Sequence, residues 1–214
     1  MKMTYEEFKK EASKLCGTEL FLYKSQQMDR RIHGLMSFWE INDYDEYLNV
    51  LKTNPRRYQE FVKRLTINVS EFFRNPDRFI ELWKKILPEL LLKPGRIKIW
   101  SAGCSNGAEP YSVAIILNEL KALDRATILA TDIDHEILEK ARRGVYHPNE
   151  VKSLPSELLE KYFCKDEELF SFSADLKKRV EFKRHNLLLE PFPQELDLII
   201  CRNVVIYFNH HLSR

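Results

Sequence analysis

The sequence predicts an all-helical domain followed by an open α/β domain built on a parallel sheet. Three observations predict it. Residues 1 to about 94 hold no convincing strand, and strands and helices alternate from Gly95 onward. A strand, a glycine-bearing loop and a helix also follow one another across IKIWSAGCSNGAEPYS at 97–112.

The helical part reads as follows. Tyr5, Phe8 and Leu15 are spaced for one helix face. Met28, Ile32, Leu35 and Met36 mark a second helix, and Tyr44, Tyr47, Leu48 and Leu51 a third, capped by Asn42 or Asp43. Pro55 suits the first turn of a fourth helix through Tyr58, Phe61, Val62 and Leu65. Pro76 opens a connector helix through Phe79, Ile80, Trp83, Ile86 and Leu87. The domain reading is 1–70 helical, 71–94 connector and 95–214 α/β.

In the α/β part, Ile97–Trp100 and Thr127–Thr131 are short apolar strands, each followed by a helix, at Pro110–Lys121 and near His135–Arg142. Val180–Lys183 and Leu196–Cys201 are two further strands. The alternation predicts a parallel sheet with helices on both faces. The stretch from Tyr162 to about Lys183 breaks the rhythm and reads as a small β-hairpin insert, although DLKK within it suits a helical turn equally well.

Hydrophobic residues at 44% suffice for a core, and charged residues at 31% suit a soluble surface. Lys plus Arg total 34 against 32 for Asp plus Glu, so no basic field points to nucleic acid. MKMTYEEFKK has no apolar stretch behind its charges, and nowhere do eighteen apolar residues run together. Neither a signal peptide nor membrane insertion is therefore expected. Cys16, Cys104, Cys164 and Cys201 show no metal-ligand spacing, so reduced thiols and no metal are expected.

The 97–112 segment points to a ligand beyond the carboxyl end of its strand. It is neither GxGxxG nor a phosphate loop, because Gly103 and Gly107 stand four apart and no GK[ST] follows. Glu109 at the helix start disfavours a pyrophosphate and suits a cofactor carrying a positive ammonium and sulfonium. Asp132 ends the second strand, 29 residues past Gly103, where an acid can accept both ribose hydroxyls. That contact supports a nucleoside cofactor without choosing between NAD and S-adenosylmethionine. Asp134 competes for the role, but it suits the N-cap of the next helix better.

Six segments in order then resemble the chemotaxis receptor glutamate methyltransferases, the CheR family. They are LTINVSEFFRN (65–75), WSAGCSNGAEPYS (100–112), ATDID (130–134), LEKARRGVY (138–146), HNLL (185–188) and CRNVVIYF (201–208). LYKSQQMDRRI at 22–32 is similar to the family's small N-terminal domain. Ala108 and Ser70 depart from the family's more frequent acidic residue and threonine.

The resemblance implies a Rossmann-like, class I S-adenosylmethionine methyltransferase domain, with S-adenosylhomocysteine as product. It places Glu109 on the methionyl ammonium, Asp132 on the ribose, and Asn186 and Leu187 along the adenine. Arg202 and Asn203 line the methionyl end, with Gly103 in the loop. Asn68, Ser70 and Arg74 close the pocket, and Tyr207 faces the reacting centre. Arg74 can grip either the cofactor's carboxylate or the substrate's; the cofactor end is favoured, since a tight grip would blunt the nucleophile.

The substrate so implied is a glutamate of the receptor's cytoplasmic helical bundle, methylated by a monomeric cytoplasmic enzyme. Lys24, Arg30, Arg31 and His33 form the basic docking surface. The insert corresponds to the family's β-subdomain, but its glycine-free tip predicts no grip on a receptor's C-terminal tether. Only four core strands are legible before Arg214, against the seven the resemblance implies, so the C-terminal strands are expected to be missing. The alternatives are a cofactor-binding signalling module and a methyltransferase of the same fold with another substrate.

Overall fold

The structure is a computed structural model and describes residues 2–16, 20, 25–65 and 70–204. They divide into two compact units, 2–65 with 203–204, and 70–202. Among the described residues no helix is long and apolar enough to cross a membrane.

Among the described residues four helices build the first unit: α1 (Tyr5–Cys16), α2 (Ser25–Phe38), α3 (Tyr44–Thr53) and α4 (Pro55–Leu65). Their apolar faces meet in one core, where Phe8 stacks on Tyr47 with ring centroids 4.7 Å apart and Phe61 meets both rings edge-on. The α3 cap is Asp43, whose carboxylate accepts the Glu46 N–H. Asn54 does the same for α4 by accepting the Arg57 N–H, which leaves Pro55 at a position that needs no donor.

The second unit opens with α5 (Pro76–Glu81), a π-helical turn (Leu82–Ile86) and α6 (Leu87–Leu90). Pro88 has no N–H to give the Lys84 carbonyl, and the Leu87 N–H reaches back five residues to Leu82. Phe79, Leu82 and Leu87 are buried, whereas Ile80, read from the sequence as part of the same apolar run, is exposed.

The central sheet comprises β1 (Ile97–Ala102), β2 (Ala126–Asp132), β6 (Val180–Arg184) and β7 (Leu198–Ile200). All are parallel, in the spatial order β6-β2-β1-β7. The chain steps one way from β1 to β2 to β6 and then returns to the far side of β1. The β1/β7 junction is therefore the switch point of a doubly wound fold, where ligands sit beyond the strand ends.

Helices α7 (Ala108–Glu119) and α8 (His135–Arg143) cover one face of this sheet. Tyr111 of α7 packs on Phe182 and donates its hydroxyl proton to the Ala141 carbonyl. On the other face Trp100 lies against His185 and Phe192 from the loop after β6. The helical layer expected on that face is not formed among the described residues. The steps from β1 through β6 cross on the same side, as right-handed crossovers must, and the return to β7 runs through a loop.

A second, antiparallel sheet joins β3 (Val145–Tyr146), β5 (Leu169–Phe172) and β4 (Phe163–Asp166). Helices α9 (Pro148–Val151) and α10 (Ser156–Tyr162) connect β3 to β4. The hairpin was legible in sequence, but its third strand was not. Ala174–Lys177 (α11) is the helical turn rather than more hairpin. Val180–Arg184 belongs to the core sheet, paired in register with Ile128–Asp132, so the insert ends before it. Val180 and Phe182 are buried there and Glu181 is exposed, as a core strand with one open face requires.

Candidate functional site

The loop after β1 hangs from the end of β2. Both the Gly103 and Cys104 N–H groups donate to the Thr131 carbonyl, each at 2.8 Å. Ser105 turns through a left-handed conformation, and its N–H donates to Asp132 Oδ2 at 2.8 Å. Gly107 is required at the next turn. Its φ is +84°, and a Cβ would lie 2.9 Å from that of Ala141 and 3.2 Å from Tyr111 and Phe182. Gly107→Ala is expected to cost about 2–3 kcal/mol, read as a lower denaturant midpoint at unchanged slope.

Glu109 stands in the first turn of α7, nearly buried. Its Oε1 accepts the Ser101 hydroxyl at 2.8 Å, and Arg202 Nη1 lies 3.7 Å from Oε2. Burial pushes its pKa up to about 7, against the Ser101 hydrogen bond and the attraction of Arg202 and Arg74. A cation arriving here meets a buried carboxyl whose desolvation outweighs the help of its two guanidinium neighbours.

Asp132 closes β2. Burial raises its pKa, opposed by the N–H groups of Asp134, Ser105 and Ile133. Its Oδ1 accepts from Asp134 at 3.1 Å. Asp134 itself caps α8, accepting the Glu136 and Ile137 N–H groups, as its position suggested. His185 donates its N–H to the Asp132 carbonyl, which brings Asn186 and Leu187 to the same rim of the sheet. Asn186 is buried, and its Oδ1 accepts the Leu188 N–H.

Arg202 follows β7 and ties the site to the segment after Ser70. Its Nη2 donates to the Arg74 carbonyl at 2.7 Å and to Asn75 Oδ1 at 2.6 Å, and its guanidinium lies over the Phe79 ring. The structure thus brings Ser70, Arg74, Gly103, Glu109, Asp132, Asn186, Leu187 and Arg202 into one unit. Asn203, exposed with φ +58°, falls to the other unit. Asn68, Tyr207 and Lys24 lie outside the described residues.

Sequence reading missed three residues. Ser101, the one polar side chain besides Lys98 in the IKIWSA strand, orients Glu109, and its polarity within a buried strand was the available signal. Ser105 Oγ is buried with no hydrogen-bond partner among the described residues, while its backbone N–H donates to Asp132. Asn106, between the two glycines, is buried and fully engaged; no local pattern pointed to it.

The basic cluster on α2 divides. Arg30 is exposed. Arg31 turns inward and donates to the Leu65 carbonyl at 2.6 Å, the C-terminal end of α4. His33 is exposed but packs on Tyr5, with Nε2 2.9 Å from the Tyr44 hydroxyl.

The family described as "CheR methyltransferase, SAM binding domain" matches residues 68–214, and "CheR methyltransferase, all-alpha domain" matches residues 3–66. A chemotaxis protein methyltransferase of Listeria innocua is 37% identical over 193 residues, covering 90% of this chain and 74% of its own length. That of Borreliella burgdorferi is 37% identical, over 90% of this chain and 73% of its own. That of Escherichia coli is 36% identical, over 90% and 70%. Among solved structures, YjhP of Escherichia coli aligns over 58% of this chain and 38% of its own at 14% identity and a TM-score of 0.31, too loose a likeness to bear on the fold.

Proposed function

This chain belongs to the CheR methyltransferase family and takes S-adenosylmethionine as its cofactor; from that premise we propose that it forms methyl esters on glutamate side chains of chemotaxis receptors. The observation that carries the reading is a pair of nearly buried acids, Glu109 and Asp132, at and beyond the carboxyl ends of adjacent strands. Their chemistry fits the cofactor. Glu109 offers a buried carboxyl to an ammonium, and Asp132 offers acceptors to ribose hydroxyls. Bound S-adenosylmethionine supplies a methyl group activated by its sulfonium.

The remaining assignments are proposals on the same footing. Asn186 and Leu187 flank the adenine, and Gly103 lets the loop approach. Arg202, Asn203 and Arg74 serve the methionyl end, with Arg74 on the cofactor's carboxylate. Asn68 and Ser70 help close the pocket, and Tyr207 faces the reacting centre. A glutamate side chain with its usual pKa near 4.3 is already an anion at pH 7. The protein therefore needs to align it with the methyl group and strip it of water rather than deprotonate it. Alignment can supply up to roughly 7–11 kcal/mol, and desolvation sharpens the carboxylate as a nucleophile.

The receptor's glutamate-rich helices would meet the exposed charge of α2, to which Arg30 now contributes more than Arg31. The test uses tritiated cofactor and receptor-containing membranes. Label transferred to receptor is expected to leave as methanol in mild alkali, as a carboxyl ester must. Alkali-stable label would sink the glutamate reading and favour another acceptor. Arg30→Glu is expected to cut transfer about tenfold or more with S-adenosylhomocysteine affinity unchanged. Undiminished transfer would remove α2 from the docking surface. Arg31→Glu is the poorer test, because it also strips the Leu65 carbonyl of its partner.

A further inference from the structure

Three stretches that are distant in sequence meet at Asn106. Its Oδ1 accepts the Ala108 N–H at 3.1 Å, which fixes the entry to α7. Its Nδ2 donates to Glu150 Oε1 at 2.7 Å and to the Ser70 carbonyl at 3.3 Å. Its own carbonyl accepts the Tyr146 hydroxyl at 2.9 Å. Asn106 is itself 1% exposed, whereas Glu150 and Ser70 opposite it are half-buried.

Glu150 completes the junction from the other side. The Phe72 N–H donates to its backbone carbonyl at 2.8 Å, two residues before Arg74. Its Oε2 accepts the His147 N–H at 2.8 Å, and Lys140 donates to Oε1. Burial would raise the Glu150 pKa, but Lys140, the His147 N–H and Asn106 together hold it below the ordinary carboxylate value. The ionised carboxylate is therefore the working form at neutral pH.

We propose that the Asn106–Glu150 hydrogen bond is a positioning device for S-adenosylmethionine binding. It locks the glycine loop between β1 and α7 to the backbone that carries Ser70 and Arg74. Neither side chain needs to touch the cofactor. The loop presents Ser105 and leads into Glu109, while the 70–75 segment presents Ser70 and Arg74. The short Asn106–Glu150 bond, with the longer Asn106–Ser70 bond beside it, sets the distance between those two walls. The inference rests on the site reading above, and it adds that the walls are set by a bond outside the pocket.

The test is a double-mutant cycle with calorimetric S-adenosylhomocysteine binding and steady-state kinetics. Asn106→Asp sets a carboxylate against Glu150 and should raise both Kd for S-adenosylhomocysteine and KM for S-adenosylmethionine about tenfold, with kcat changed less than about threefold. Glu150→Gln alone should weaken binding about two- to fivefold. Together they restore a hydrogen bond with donor and acceptor exchanged, while the Ser70 carbonyl stays without its donor, so Kd should recover at least about threefold from its Asn106→Asp value without reaching the parent's. A merely structural role would lower thermal stability without this recovery of binding.

Single variants that fold and bind like the parent would overturn the proposal, as would a double variant that binds no better than Asn106→Asp. Should Asn106→Asp not fold, Glu150→Ala, which removes the acceptor outright, decides in its place, and parental affinity in it overturns the proposal. Glu109→Gln and Asp132→Ala run alongside. If they too bind normally, the site reading has failed; if they lose binding while Asn106→Asp keeps it, only the positioning role falls.

Discussion

Replacing Glu109 by glutamine is expected to weaken S-adenosylhomocysteine binding about a hundredfold and to stabilise the ligand-free protein at pH 8. The first effect follows from removing a charge-assisted bond to the ligand ammonium in a buried setting, worth roughly 2–3 kcal/mol. The second follows from the pKa near 7. A carboxyl whose pKa rises on folding binds its proton more tightly when folded. Its favourable contribution is complete below the unfolded value of 4.5 and is lost as pH rises through about 7.

At pH 8 the ionised side chain thus costs about 3 kcal/mol, which a neutral amide avoids in large part. Denaturant unfolding should show the variant about 2 kcal/mol more stable at pH 8 and the difference below about 1 kcal/mol at pH 5. Binding has the opposite dependence. The parent's affinity should fall by up to about tenfold per pH unit below 7, because the carboxyl must first lose its proton, while the variant's stays flat. Calorimetry at pH 6 and 8 reads this directly, and a parent with no such slope would remove Glu109 from the ammonium.

Asp132→Ala is expected to abolish measurable methyl transfer and to weaken S-adenosylhomocysteine binding at least a hundredfold. The side chain has two tasks: Ser105 and Asp134 donate to its two oxygens, and the ribose would use the remaining lone pairs. Alanine leaves two N–H groups wanting acceptors, at about 1–3 kcal/mol each if water does not reach them. A lower melting temperature should therefore accompany the loss. Adenosine separates the two acids. It lacks the methionyl end, so its binding should fall in Asp132→Ala and stay unchanged in Glu109→Gln. Normal adenosine and S-adenosylhomocysteine binding in a folded Asp132→Ala protein would exclude the ribose role.

Much of this was legible in the sequence because it is local. Apolar spacing marks helix faces, Asp43 and Asp134 announce their caps, and the apolar runs show Asp132 at the end of a strand and Glu109 at the start of a helix. What escaped is non-local. The two residues of β3 are too short to carry a period, and they are a strand only because Ser171 and Phe170 lie opposite. The inward turn of Arg31 depends on a carbonyl 34 residues away. Asn106 and Glu150 are 44 apart, and each read by itself is an ordinary turn residue. The π turn at Leu82–Ile86 was missed as well, within what reads as one connector helix, although its cause, the absent N–H of Pro88, is local.

The rim of β2 restrains the loop that hangs from it. Thr131 receives two loop amides, the Asp132 side chain a third, and the Asp132 carbonyl the first amide after β6. The glycine loop cannot peel away without breaking bonds to the central strand. Its opening free energy is then borrowed from the sheet and approaches that of global unfolding, unlike a surface loop that frays on its own. Glycine serves shape in this loop and not mobility, so any breathing that admits the ligand must occur elsewhere around the pocket.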